Sequence, residues 1–247
     1  MWFIPIVVGV TIFFAHIAPF PFLLDWNSGG VAMWEVPPID ADGPGEPVVY
    51  LTFDDGPNPA ATPELLDVLA RHRVLATFFI IDRHLTEETA PIVRRAALEG
   101  HGIALHAHSR AMAHMTPDEV AATLDAAERR LMDLAGVDAC PAFRPHAGAR
   151  SGNMVTALRR TGRRLVGWGM FLWDFDWGRR KRAARLVPRI AGRASAGSII
   201  VLHDGHHEQT RPDRRYVVET VDQLIPTLRD KGLSFDTICD AIADAER

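Results

Sequence analysis

Two cysteines in 247 residues, Cys140 and Cys239, are too few for a disulfide framework and match no zinc-binding spacing. They read as small core residues that leave the redox compartment open. Charge of one sign is not in excess either. With 27 Lys and Arg against 31 Asp and Glu, the net charge is −4, so no basic field points to a nucleic-acid partner. There is no repeat of fixed period and no low-complexity stretch. A hydrophobic share of 47% and a charged share of 23% exclude a disordered chain and supply a sizeable core. The length suits one large domain, since β/α barrels commonly reach it as a single unit.

The opening of the chain lacks Lys, Arg, Asp and Glu altogether from Trp2 to Leu24, and Asp25 closes the run. That is long enough to cross a bilayer. A membrane anchor, a cleaved signal peptide and a buried core helix compete. Pro19 and Pro21 shorten the helical part, no cation precedes the run, and no small-x-small cleavage pattern follows it. Residues 1–25 are therefore read as a membrane anchor or signal-anchor. This places the remainder outside the cytoplasm, in a periplasm or at a cell surface. Residues 26–47, polar and containing Pro and Gly, read as a linker, and residues 48–247 as the domain that carries the chemistry.

Beyond Pro47, short apolar runs alternate with helical periodicity, the pattern of β/α units around a parallel sheet. Strands are expected at Val48–Phe53, Ala76–Ile81, Gly102–His106, Ala142–Pro145, Arg164–Trp168, Ser198–His203 and Ser234–Ile238. Thr116-Pro117-Asp118-Glu119 has the form of a capping box with proline at the first helical position, and Gly136 can end that helix. Thr62-Pro63 is expected to open an earlier helix in the same way. Val217, Val221, Leu224 and Leu228 mark a late one. The expected fold is a distorted seven-stranded parallel β/α barrel, although an open doubly wound sheet would read similarly. In either, chemistry belongs at the C-terminal strand ends. Asp54, Asp55, His106, Arg144, His203 and Asp204 collect there.

Thr52-Phe53-Asp54-Asp55-Gly56-Pro57 is the strongest signal. Two adjacent carboxylates at a strand end are costly unless a cation sits with them. A bare Asp-Asp-Gly would be read as a polar turn, but that leaves the later strand-end His106, Arg144 and Asp204 unexplained. With Ala76-Thr77-Phe78-Phe79, Gly100-His101 leading to His106, Phe143-Arg144-Pro145, Asp176-Trp177 and Ile200-Val201-Leu202-His203-Asp204, the chain from Val48 to Ile238 resembles the polysaccharide deacetylases. That carbohydrate esterase group removes N-acetyl groups from chitin-like and peptidoglycan sugars.

The resemblance implies a metal-dependent hydrolase acting on an N-acetylated amino-sugar polymer of the cell envelope. It implies a divalent cation, with zinc expected, held by Asp55 and His106. Asp54 would be the general base for the attacking water, with Arg144 pairing it. His203 would be the general acid, oriented by Asp176, and Trp177 and Val201 would line the pocket for the acetyl methyl. The division of labour is chemically sound. Amide hydrolysis needs a base for the water and a separate acid for the nitrogen, because an amide anion leaves poorly.

The pattern breaks at one position. The family places a second metal histidine four residues after the first, and here His106-Ala107-His108-Ser109-Arg110 puts arginine there. His108, His114 or His146 could supply the missing donor, or Arg110 could occupy the cation's place and leave a metal-free site. His146 stands where the family usually has proline. Trp173 replaces a residue that is often acidic, and Asp174 could share the role given to Asp176. His206 and His207 read as solvated loop residues. Two other functions stay open: a catalytically impaired saccharide-binding protein on the same barrel, and an amidohydrolase for a small or lipid-linked amide.

Overall fold

The computed structural model describes residues 29–37, 47–168 and 181–247. The apolar run of residues 1–25, and the expected site residues Asp176 and Trp177, lie outside the described residues. Among the described residues no helix is long and apolar enough to cross a membrane.

The chain forms a distorted parallel β/α barrel. Its strands are β1 (Ala32–Met33), β2 (Val48–Gly56), β3 (Thr77–Ile80), β4 (Gly102–His106), β5 (Ala142–Arg144), β6 (Arg164–Val166), β7 (Ile199–His203) and β8 (Ser234–Phe235). They run in the order β1-β6-β5-β4-β3-β2-β7, with β8 beside the start of β2. All seven expected strands are present. Alternate side chains face two environments, as the strand period requires. Leu51, Phe53, Phe78, Ile80, Ile103, Ile200 and Leu202 pack outward with helical residues such as Leu65, Leu69, Val221 and Leu224. Tyr50, Phe79, Ala104, Ala142, Val166 and Ile199 face inward and form the barrel's own core.

The additional strand is β1, within the stretch read as a linker. Ala32 and Met33 pair with Leu165 and Val166 of β6. Two residues on, Glu35 bridges Ser198, and Val36 N–H donates to Gly197 O at 2.9 Å beside β7. Residues 31–36 thus span the gap between the sheet's two outer strands and close the barrel, with Val31, Met33, Trp34 and Val36 buried. Backbone groups that the edges of β6 and β7 would leave bare are paired by this segment.

The helices that cover the barrel are α1 (Thr62–His72), α2 (Ala90–Leu98), α3 (Pro117–Ala135), α4 (Gly152–Arg160), α5 (Ala183–Ala191), α6 (Arg215–Arg229) and α7 (Ile238–Ala245). The capping box of α3 forms as expected: Thr116 Oγ1 accepts from Glu119 N–H, and Glu119 Oε2 accepts from Thr116 N–H at 2.8 Å. Gly136, with φ +65°, ends it. At α1 the expectation needs correction. The helix opens at Thr62, but the N-cap is Ala61 and has no side-chain cap. The Thr62 hydroxyl accepts from Asn58 N–H and donates to the Asp204 carboxylate instead, so it serves the strand-end site.

The cysteines need correction as well. Cys140 and Cys239 are bonded to each other across 99 residues, with Cα atoms 5.6 Å apart. The bridge ties the chain just before β5 to α7, whose Ile238, Ala241 and Ile242 fill the N-terminal mouth of the barrel. Gly102 makes room for it, since a Cβ there would stand 2.6 Å from Cys239 Sγ.

Candidate metal and active site

At the opposite mouth, β2 departs from regular strand geometry. Asp55 has φ +66°, and the β2–β3 register shifts between Asp54 and Gly56. In a regular strand adjacent side chains point to opposite faces. Here the bulge turns both carboxylates toward His106, whose Nε2 lies 4.0 Å from Asp54 Oδ2 and 3.3 Å from Asp55 Oδ1. The left-handed conformation costs Asp55 about 1 kcal/mol, and its surroundings hold it there. Gly205 packs so closely on the bulge that a Cβ would fall 1.8 Å from Asp55 O. His84, buried and not singled out by the sequence, places Nδ1 3.2 Å from the same carbonyl.

Asp54 is fixed from below. Arg144, wholly buried, donates from Nη1 to Asp54 Oδ1 at 2.5 Å and to Thr52 Oγ1 at 3.0 Å. Its Nε and Nη2 donate to Val166 O and Gly167 O at 3.1 and 3.2 Å, and the guanidinium lies 3.8 Å from the Phe79 ring centre. The second oxygen of Asp54 is left facing the site. His203 is in register with Asp54 on the neighbouring strand. Val201, two residues earlier on that inward face, is buried beneath it.

Asp55 and His106 form the part that calls for a cation. His106 Nδ1 lies 2.8 Å from Arg144 O, where it must donate. A singly protonated ring therefore turns the lone pair of Nε2 toward Asp55 Oδ1. That oxygen is buried and has no hydrogen-bond partner among the described residues. Two lone pairs at 3.3 Å need a positive charge between them, either a second proton on His106 or a metal ion. Burial works to raise the Asp55 carboxyl, yet the neighbouring imidazoles, His106 first and then His203 and His146, hold it well below the usual carboxylate range.

The third residue of the cluster is His146. One ligand atom each from Asp55, His106 and His146 lie within 4.8 Å of one another. Burial, with the nearby charge of His106, pushes His146 down to about 4, leaving the neutral imidazole that a metal requires. One carboxylate and two imidazoles make the donor set of an open divalent-metal site, with the Arg144 carbonyl orienting His106 from behind. His108 and His114 are exposed and stand outside the cluster, and Arg110 is exposed beside it, its charge felt by His146. The residue in the family's usual position is thus on the rim, and a residue from the loop after β5 has come in.

Behind the bulge, Asp204 is buried and takes the Thr62 hydroxyl on one oxygen, while the other has no partner among the described residues. Burial pushes its carboxyl up to about 7; the Thr62 hydrogen bond opposes the rise and the charge of Asp55 adds to it. The sequence marks Asp204 as a strand-end residue but gives no sign of its link to Thr62. Asp176 and Trp177, expected beside His203 and the acetyl pocket, lie outside the described residues.

Comparison with known proteins agrees with this geometry. Residues 41–166 match the family model described as polysaccharide deacetylase. A chitooligosaccharide deacetylase of Sinorhizobium fredii is 37% identical over 206 residues, covering 78% of this chain and 91% of that one. The crystal structure of a peptidoglycan N-acetylglucosamine deacetylase, in complex with a naphthalenyl N-oxidanyl-benzamide, superimposes with a TM-score of 0.70 at 30% identity, covering 90% of this chain and 96% of that one. A family 4 acetyl xylan esterase from Clostridium thermocellum, in complex with a cobalt ion, gives a TM-score of 0.68 at 30% identity over 79% of this chain and 90% of that one. From the Asp54–Asp55 bulge, the Arg144 pairing and these matches, the chain belongs to the polysaccharide deacetylase family.

Proposed function

We propose that this protein is a divalent-metal hydrolase that removes N-acetyl groups from an amino-sugar polymer of chitin-like or peptidoglycan type, with Asp55, His106 and His146 as its metal donors. The observation that carries the reading is the donor triangle beside a carboxylate already held by Arg144. A bound divalent ion would lower the pKa of its water to about 7 and polarise the acetyl carbonyl. Zinc suits one carboxylate and two imidazoles.

The chain's own residues then divide the proton work. Asp54 keeps Oδ1 on Arg144 and takes the water's proton at Oδ2. His203, across from it on β7, gives a proton to the departing nitrogen. Val201 lines the space for the methyl group, and the family resemblance would give Trp177 the same role and Asp176 that of orienting His203. A metal-free saccharide-binding protein is disfavoured, because Arg110 is exposed, while Asp55 pairs with His106.

The reading places the domain outside the cytoplasm, anchored through residues 1–25. Two features support this: the charge-free run from Trp2 to Leu24 and the Cys140–Cys239 bond, which persists in oxidising compartments. The deciding experiment measures acetate release by the zinc-loaded, detergent-solubilised full-length chain from chito-oligomers, peptidoglycan and acetylated xylan. Release from the first two is expected. Zinc bound without release from any N-acetyl sugar rejects the N-deacetylase reading, and release from xylan alone reassigns it to esters.

A further inference from the structure

His146 is an unusual residue to ask for a fixed donor. It begins a single 3-10 turn, His146–Gly148, in which Ala147 has φ +51°, so no helix or strand holds it. Something else must fix its ring if it is to complete the triangle with Asp55 and His106.

The rings around it supply a candidate. His146 lies with its ring centre 6.1 Å from His106 on one side and 4.7 Å from His207 on the other. His207 in turn stacks on His206, with centres 4.5 Å apart and planes 23° from parallel. The expectation that these two histidines are solvated is corrected in part: both are half-buried, and the ring of His207 meets that of His146. The outer end of the stack is tied down twice. Arg83 donates to the His207 carbonyl, and His206 Nδ1 accepts from the backbone N–H groups of Glu208 and Gln209 at 3.1 and 3.2 Å. Since that nitrogen accepts, the ring of His206 is oriented as well as placed. The loop after β7 thus carries an anchored two-ring stack whose inner face meets the ring of His146.

We propose that His207 is a positioning residue for the metal site: its ring packs against His146 and holds that imidazole toward Asp55 and His106. The proposal rests on the reading of His146 as third donor. It also accounts for how a donor on an irregular loop can stand in for one at position 110. Strand β7, which ends on His203, would carry the brace for the metal on the loop that follows it.

The test uses the full-length chain in detergent, with zinc affinity measured by competition against a chromophoric chelator and donor geometry read from the visible spectrum of the cobalt-substituted protein. Residues behind metal ligands typically contribute about 10- to 100-fold in affinity. His207→Ala is expected to weaken zinc by about that factor and to alter the cobalt spectrum. His207→Phe, which keeps a packing ring but no nitrogen, is expected to recover most of both. Unchanged affinity and spectrum in His207→Ala would overturn the proposal, as would a Phe variant no better than Ala. His146→Ala, run alongside, separates the two readings. If it leaves zinc affinity intact, the third-donor assignment falls and takes the brace with it; if it empties the site while His207→Ala does nothing, only the brace falls.

Discussion

At the N-terminal mouth of the barrel, Ile238, Ala241 and Ile242 of α7 enter an apolar interior and a disulfide holds the helix in place. At the C-terminal mouth, Asp54, Asp55, His106, Arg144 and Asp204 are all buried, and two carboxylate oxygens have no partner among the described residues. The same strands run through both. One end is dominated by apolar contact, cross-link and plug, although His101 Nε2 and Arg164 Nε, at the starts of β4 and β6, are also buried without a hydrogen-bond partner among the described residues. The other concentrates charge, a left-handed aspartate and unpartnered oxygens that folding alone would avoid. Strain and unmet polar groups gather where a ligand is to be held. The difference teaches that the strained aspartate and the unpartnered carboxylate oxygens belong to the site and not to the closing of the barrel.

The largest expected effect separates the two ends outright. Asp54→Asn and His203→Ala should each lower the rate by about 10²- to 10⁴-fold while zinc content, checked by elemental analysis, stays at the wild-type level. Near-full activity in His203→Ala would remove the acid from the scheme. The converse substitution is at the other mouth. Cys140→Ser with Cys239→Ser frees a 99-residue loop, and denaturant titration should show a loss of about 2–5 kcal/mol. Activity per folded molecule should not change. A drop in that quantity would mean the mouths are coupled and would break the comparison.

A smaller effect appears with pH, at His101 near the start of β4. Burial pushes its imidazole down to about 4, and its Nδ1 accepts from Ala76 N–H at 3.2 Å. The folded chain keeps it neutral while the unfolded chain protonates it near 6.5. Its stabilising contribution is therefore full above pH 6.5 and is lost as pH falls toward 4, about 3 kcal/mol in all. His101→Asn, which can still accept from Ala76, should flatten that part of the stability–pH curve. An unchanged slope would assign the acid sensitivity elsewhere. The smallest effect tests a surface far from either mouth: Thr116→Ala should cost about 1 kcal/mol through the lost cap of α3, with zinc affinity unaltered.

Much of this was legible in the residues, and what was not has physical reasons. The strand runs and the α3 box are local patterns, and local patterns are what a sequence displays. The Asp54–Asp55 pair was visible, but the bulge that makes both face one way is a property of how β2 meets β3 and Gly205. His146 was one of three candidate donors. Its place beside Asp55 and His106 depends on the packing of the loop after β5, which no spacing encodes. The disulfide joins positions with no local relation. The brace at His207 looked like polar loop because two histidines beside glutamate read as solvated. And β1 escaped notice because two strand residues flanked by glycine and proline carry no period to detect.

That last omission changes how the protein would sit at a membrane. A linker of residues 26–47 would have let the domain drift far from its anchor. With Val31 already built into the barrel wall, only six residues, Asp25 to Gly30, separate the apolar run from the folded body. Even fully extended they reach about 20 Å. If the leader lies in a bilayer as proposed, the domain works on a short leash. Its substrate would then be polymer within a few nanometres of the lipid headgroups, newly made or still attached there, and the outer layers of a wall would be out of reach.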